Sequence, residues 1–476
     1  MLLLLPEILI GALIIILIGV LCISPHHHSK KIVNLVSYIL ILSGLYIVIY
    51  GSCAINDKQV FLDNYLVDKL SFILKGVIII FSGMIISYSK SYLLSHGLFK
   101  LEFFTLLLFS VLGQLICISS VHTLLTYLGI ELMALAIYGL VAFNYKKEIS
   151  IEAAIKYMVL GAIASGFLLY GISMIYGSTG GLSYREISSS IILDKYNHIL
   201  MIFGIMFIIA ALSFKLGLVP FHMWAPDVYQ GGNTASTIII STIPKIAVFA
   251  LSYRILLDLF NSLSSQYIII LQIIAIASLF IANLTAIMQN NIKRMLAYST
   301  ISHMGFLLLS IISGYNNNLF NAAQTGFLYV LIYSFTSLGI FAVLLGLSHT
   351  NDDLTFDNLK GLAKKYPLLG FGLLIGVFSL AGIPPTIGFY AKLLVIESLM
   401  HVNMYTISIL AIISSVIGAF YYLKIIKVIY FDDITDALPL FIQSKSAKIL
   451  MVINLSTILI LGIYPKILVD VFKTIL

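Results

Sequence analysis

The stretch Ile8-Leu9-Ile10-Gly11-Ala12-Leu13-Ile14-Ile15-Ile16-Leu17-Ile18-Gly19-Val20 is apolar at every position, so no helix or strand drawn through it has a wet face. A strand of a membrane barrel alternates lipid-facing and lumen-facing residues, and this segment does not alternate. A helix satisfies its own backbone in lipid, and about 20 apolar residues cross a hydrocarbon core of about 30 Å. Pro6 and Glu7 stand where a secretory signal would carry basic residues, and no small-residue cleavage site follows. The segment is therefore expected to be a mature transmembrane helix.

Similar runs recur along all 476 residues, of which 60% are hydrophobic and 10% charged. Soluble domains carry about 25% charged residues, so a soluble core is excluded. Cys22, Cys53 and Cys117 occur singly in or beside apolar runs, without the CxxC spacing of a zinc or iron–sulfur site, and read as buried thiols. The chain contains neither GxGxxG nor a Walker sequence, so any redox cofactor is expected on a partner. The formal charge of +7 would suit nucleic acid, but basic residues of membrane proteins gather in cytoplasmic loops.

Fourteen helices are predicted, at roughly 2–23, 32–52, 71–89, 101–121, 123–143, 151–176, 199–229, 234–258, 266–287, 295–314, 321–348, 368–400, 404–430 and 446–465. With both termini outside, fifteen basic residues fall on the cytoplasmic side, including Lys293 and Arg294. Eight fall outside, including Lys69, Lys75 and Arg254, and four of the 27 remain in the membrane. This bias explains the charge without nucleic acid. His26, His27 and His28 form a run in the first cytoplasmic loop, readable as a metal site or as an interfacial turn. No connection is long enough for a further domain. The expected architecture is one all-α membrane domain over 1–476, with three N-terminal helices in 1–100.

An ionised side chain at the centre of a membrane helix costs about 2.5–3.5 kcal/mol on insertion scales, which makes each one a functional candidate. Glu131 lies about eight residues into its span, roughly 12 Å deep. Lys245 follows Pro244 near the middle of its span, and Lys215 and Lys392 lie in two long segments interrupted by Gly and Pro. Lys156 is shallower and could pair with Glu152 one turn earlier. A buried carboxylate beside a movable lysine can take up or release one proton. The bland alternative is that these charges only fix helix packing.

The first interrupted segment reads Phe214-Lys215-Leu216-Gly217-Leu218-Val219-Pro220-Phe221-His222, and the second reads Ala381-Gly382-Ile383-Pro384-Pro385 before Lys392. Two such breaks in corresponding places predict an inverted repeat of five helices, 101–258 against 266–430, followed by the last helix at 446–465. Aligning Gly217 with Gly382 superposes Pro220 on Pro385, yet Lys215 precedes its break while Lys392 follows its own. His222 and His303 add groups that titrate near neutrality.

The run Phe221-His222-Met223-Trp224-Ala225-Pro226-Asp227-Val228-Tyr229-Gln230-Gly231 closely resembles the antiporter-like membrane subunits of respiratory complex I and related cation/proton antiporters. The match extends through Glu131, Lys215, Lys245 and Pro384-Pro385-Thr386-Ile387-Gly388-Phe389-Tyr390-Ala391-Lys392. Lysine rather than glutamate in the second break, and fourteen helices without a lateral extension, narrow the likeness to one type of subunit. The resemblance implies a proton-translocating subunit of an NADH:quinone oxidoreductase in the bacterial inner membrane. It implies that Glu131 pairs with Lys215, that Lys245 passes the proton along the midplane and that Lys392 releases it outward. Lys156, His222 and His303 would belong to the same axis. FMN, iron–sulfur clusters and quinone would sit on partner subunits, reached through neighbouring membrane subunits and the peripheral redox arm. A cation/proton antiporter subunit without redox chemistry is the alternative.

Overall fold

The computed structural model describes residues 4–23, 29–54, 58–60, 64–315, 319–348, 354–434 and 442–475. The chain enters as α1 (Leu5–Ile23), α2 (Ser29–Ala54) and α3 (Lys69–Ser95), with the hairpin β1 (Lys58–Val60) and β2 (Tyr65–Val67) between α2 and α3. Then come α4 (Leu101–Ser119), α5 (Thr123–Val141), α6 (Glu148–Thr179) and the short α7 (Tyr184–Ile192). The first broken helix is α8 (His198–Leu216) with α9 (Trp224–Gly231). Next are α10 (Thr234–Ser241), α11 (Ile243–Tyr253), α12 (Ser264–Ile287), α13 (Ile292–Ile312) and α14 (Leu319–Leu347). After the single turn α15 (Leu362–Lys365), the second broken helix is α16 (Pro367–Ala381) with α17 (Ile387–His401). The chain closes with α18 (Tyr405–Tyr430), α19 (Lys445–Ile463) and α20 (Lys466–Ile475).

Among the described residues, thirteen helical stretches are long and apolar enough to span a membrane, and α16 with α17 makes a fourteenth passage. Loops assigned to the same side meet. Tyr65 bridges Ser120 and His122 bridges Ser183 on the face where α1 begins, while Asn291 bridges Thr355 on the opposite face. The start of α1 and the end of α19 thus share a face, and α8 and α16 begin on opposite faces, as an inverted repeat requires.

Sequence reading missed the short helices α7 and α20 and the single turn α15. In α7, a capping box joins Ser183 and Glu186, and the Ser183 backbone N–H holds the Glu186 carboxyl below its usual range. Helix α20 is amphipathic and continues past the last span. Cys117 is buried as expected, but Cys22 is exposed, because α1 turns much of its surface outward. The side chain of Cys53 and the run His26 to His28 lie outside the described residues.

Without a hydrophobic drive between helices in lipid, close backbone approach through small residues does the packing. A Cβ added at Gly171 would lie 2.8 Å from the Gly204 carbonyl, and one at Gly204 would lie 3.0 Å from that of Gly171. This pair seats α6 on α8, which carries Lys215. Gly171→Val is expected to cost about 1–3 kcal/mol by overpacking. Gly166→Val on the same helix meets nothing within 4 Å and should be neutral. Thermal midpoints of the two variants check this.

Candidate functional site

Both broken helices end their first half in the same way. Gly217 and Gly382 adopt left-handed backbone, with φ of 81° and 80°. Leu218 N–H donates to Ser213 O at 2.8 Å, and Ile383 N–H donates to Phe378 O at 2.9 Å, closing a Schellman turn at each end. The last carbonyls of α8 and α16 are thereby left pointing past the glycine into the protein. A helix C-terminus carries about half a negative charge, so these are natural seats for a cation.

A lysine occupies each seat. Lys245 Nζ donates to Lys215 O at 3.2 Å and to Leu216 O at 2.8 Å. Lys392 Nζ donates to Ala381 O at 2.9 Å and to Ser415 Oγ at 3.2 Å. Each ammonium also lies over an aromatic face, Lys245 at 5.2 Å from the Trp224 ring and Lys392 at 5.3 Å from that of Phe306. Trp224 is itself fixed by Nε1 donating to Phe214 O at 3.0 Å and by stacking on Tyr157 at 4.4 Å. The counterpart of Lys392 by contact is therefore Lys245, on α11 beyond the broken helix, and not Lys215. Alignment by sequence position could not find this, because the two lysines reach equivalent carbonyls from different helices.

Lys245 sits just beyond a second interruption. Helix α10 ends at Ser241 and α11 begins at Ile243, with Pro244 in its first turn, so the ladder is broken where the proline predicts.

Lys215 is buried, yet its Nζ has no hydrogen-bond partner. The expected contact with Glu131 is not made. Instead, Ser165 on α6 donates to Glu131 Oε1, which turns the carboxylate toward that helix. Glu131 still acts on Lys215 through space. His222, in the break, is buried with Nδ1 unpartnered.

His303 lies in the second half. Its Nδ1 meets Tyr329 Oη at 2.8 Å and its Nε2 meets Tyr422 Oη at 3.1 Å, so both ring nitrogens are engaged. Together with Tyr333, Thr336, Ser379 and Lys392 it lines a cavity of about 10 Å³, the volume of roughly one water probe. Tyr333 Oη donates to Thr300 Oγ1 at 2.8 Å, and the neighbouring Ser334 Oγ donates to Thr242 O at 3.4 Å, beside the break that precedes Lys245. These buried hydroxyls and His303 lie in the region between the two lysine seats, in separate pairs and not in one continuous hydrogen-bonded chain. From Lys392 an open groove of about 790 Å³ follows α17 past Glu397 to His401, on the face where α1 begins.

Lys156 is exposed and pairs with Glu152 at 2.8 Å, as expected, and also with Asp227 at 3.0 Å. Asp227 in turn pairs with Arg294 at 2.7 Å. This partly exposed network lies at the opposite face, near the end of α9.

Three basic residues counted in the loops are buried. Lys75 pairs with Glu7 at 2.7 Å, Arg254 binds Asp68 through Nη2 at 2.9 and 3.0 Å, and Lys293 donates to Gly232 O at 3.0 Å. Removing them changes the facial count to fourteen against six, which sharpens the bias. Position in the sequence gives depth in the membrane but not which way a side chain faces.

Residues 120–418 match the family described as NADH:quinone oxidoreductase/Mrp antiporter, TM. The chain is 44% identical over 406 residues to the NADH-quinone oxidoreductase subunit N of Paraburkholderia phymatum, covering 84% of this chain and 82% of that one. Its fold superposes on a chain in respiratory complex I from Thermus thermophilus with bound aureothin, with a TM-score of 0.82, 26% identity and 98% of each chain covered. A chain of the Mrp complex from Dietzia sp. shares the fold, with a TM-score of 0.85 at 18% identity over 98% of this chain and 96% of that one.

A Cβ at Gly382 would lie 2.8 Å from Lys392 Cδ, on backbone with φ of 80°. Gly382→Ala is expected to cost about 1–2 kcal/mol from the left-handed backbone alone. It should also push Lys392 off its carbonyl. A lower thermal midpoint and faster hydrogen exchange at Gly382 and Ile383 check both effects.

Proposed function

This chain belongs to the subunit N family of NADH-quinone oxidoreductases, and we propose that it carries protons across the membrane along the row Glu131, Lys215, Lys245, His303 and Lys392. Membership makes it a membrane subunit of an enzyme complex. The same reading divides it into N-terminal helices over 1–100, a first repeat over 101–258, a second over 266–430 and a final helix at 446–465.

The observation that carries the proposal is the matched seating of Lys245 and Lys392 on the carbonyl ends of two half-helices. A lysine held by carbonyls and an aromatic face keeps its proton until a neighbouring charge changes. Two like charges roughly 8 Å apart interact by about 2 kcal/mol at an effective dielectric near 20. Moving one charge against 100 mV costs about 2.3 kcal/mol, so one change of partner at Lys215 has the right size to hand a proton on.

Closing Glu131 onto Lys215 stabilises the Lys215 ammonium, and opening the pair, as in this structure, frees the proton for Lys245. Ser334, Tyr333, Thr300 and His303 carry exchangeable protons on the way toward Lys392, with water bridging those that do not touch, and none holds a fixed charge. The basic bias supports a reading in which α1 begins at the periplasmic face of the bacterial inner membrane and both termini lie outside. The groove from Lys392 to His401 then leads outward. Uptake falls to the opposite face, beside Lys156, Asp227 and Arg294.

The energy comes from quinone reduction on other subunits, whose FMN, iron–sulfur clusters and quinone reach this chain through adjoining membrane subunits. A gradient-driven antiporter is less well supported, since the matched family spans both kinds of subunit while the relative at 44% identity is a subunit N.

In assembled complex reconstituted in liposomes, Lys215→Ala, Lys245→Ala and Lys392→Ala should each lose protons moved per NADH oxidised. Lys156→Ala should lose less, because Lys156 is exposed and Glu152 and Asp227 stay solvated without it. Equal, wild-type proton movement in all four variants would refute the assignment and leave the charges a packing role.

A further inference from the structure

Helices α1 and α3, with β2, hold a second buried cluster of titratable groups, outside the residues matched to the family. Lys75 is fully buried in α3 and pairs with Glu7 Oε1 at 2.7 Å. Tyr65, in β2, places its hydroxyl between them. It donates to the same Glu7 oxygen at 2.5 Å and lies 3.2 Å from Lys75 Nζ, which donates to it. Glu7 Oε2 is buried and has no hydrogen-bond partner.

On one side the cluster opens into a pocket of about 550 Å³ at the face where α1 begins, lined by Glu7, Tyr65, Asn64 and His122 among apolar side chains. On the other side it touches α4, where the Tyr65 hydroxyl meets Leu115 O at 3.4 Å. Cys117, two residues on, is within electrostatic reach of both Tyr65 and Lys215. Gln114 Oε1 and Lys215 Nζ are buried polar atoms without protein partners, and Ser119 lies beside the Tyr65 hydroxyl. Buried polar atoms require partners, and water is the one that also conducts protons. Gln114 shares a face of α4 with Cys117, the residue within electrostatic reach of both Lys215 and Tyr65. Nearby, Asp68 and Arg254 pair at 2.9 Å, and Asp258 lies within electrostatic reach of both. Arg254 Nε also ties down Ile118 O at 2.8 Å.

We infer that Glu7, Tyr65 and Lys75 form a proton port that links Lys215 directly to the outer face, separate from the groove at Lys392. In the port, Tyr65 gives its hydroxyl proton to Glu7 while Lys75 gives one to the Tyr65 oxygen. The ion pair becomes a carboxylic acid and a neutral amine, with Tyr65 unchanged. Glu7 then loses its proton to water in the pocket, and Lys75 recovers one from Lys215 along α4. One proton leaves Lys215, and one appears outside.

The inference rests on the proposed role of Lys215, and its test separates the two. Glu7→Gln and Tyr65→Phe are made in the complete complex, beside Lys215→Ala and the rescue variant Glu7→Asp. Protons moved per NADH oxidised are measured in liposomes, with assembly scored on native gels. A partial loss is expected in Glu7→Gln or Tyr65→Phe, no larger than that of Lys215→Ala, with part of it restored in Glu7→Asp. Tyr65→Phe leaves the 2.7 Å ion pair in place, so a role in pinning α1 to α3 would not produce its loss. If Glu7→Gln does not assemble, Tyr65→Phe decides. A wild-type quotient in every assembled port variant, with Lys215→Ala impaired, overturns the port alone. A wild-type quotient in Lys215→Ala overturns the proton-carrying role on which it rests.

Discussion

A helix that stops inside a membrane leaves carbonyls that lipid cannot satisfy, and everything at the centre of this protein follows from how those carbonyls are met. Helices α8 and α16 each stop at a left-handed glycine, and each leaves a partial negative charge at mid-depth. Lys245 and Lys392 supply the positive charge. Charge-assisted hydrogen bonds contribute about 1.5–3 kcal/mol, which offsets the roughly 2.5–3.5 kcal/mol cost of placing a lysine there. Neither the break nor the lysine would be stable without the other. Lys293 on the Gly232 carbonyl at the end of α9 repeats the solution a third time, near the opposite face.

This mutual dependence explains what could be read from the chain. Gly217, Pro220, Gly382 and Pro385 announce the breaks, since glycine frees φ and proline removes a donor whatever the surroundings. Apolar length announces the passages. The pairing of Lys245 with α8 and of Lys392 with α16 is tertiary, and Lys215 looked like the counterpart of Lys392 only because it stands beside a break in sequence. Lys75 and Arg254 were hidden for a related reason. Their partners Glu7 and Asp68 lie 68 and 186 residues away in the chain, so the charges looked like loop residues until the helices were assembled. Glu131 shows the limit from the other side. Its depth was legible, but its contact with Ser165 instead of Lys215 depends on the rotation of α5 against α6.

Small residues make these meetings possible. Gly171 and Gly204 bring α6 against α8, and Gly129 on α5 leaves room for Cys117 of α4, where a Cβ would lie 2.9 Å from Sγ. The chemistry of the row therefore depends on residues that have none of their own, because a lysine can reach a carbonyl on another helix only if the backbones are close.

The nature of the link between the two seats also limits how they can work. Between Lys245 and Lys392 the buried groups are hydroxyls and one imidazole, with Tyr329 and Tyr422 holding both nitrogens of His303. A further lysine there would repel both ammonium groups, and a carboxylate would trap one of them in a stable pair. Hydroxyls donate and accept equally, so they transmit a proton in either direction without favouring a resting place. Direction must then come from the ends, where charges can change partner: at Lys215, whose Nζ has no hydrogen-bond partner in this structure, and at Lys392, which faces both the small cavity and the open groove. In the proposed row, a neutral middle between chargeable ends would let a change at one seat be felt at the other and would keep a proton from stopping between them.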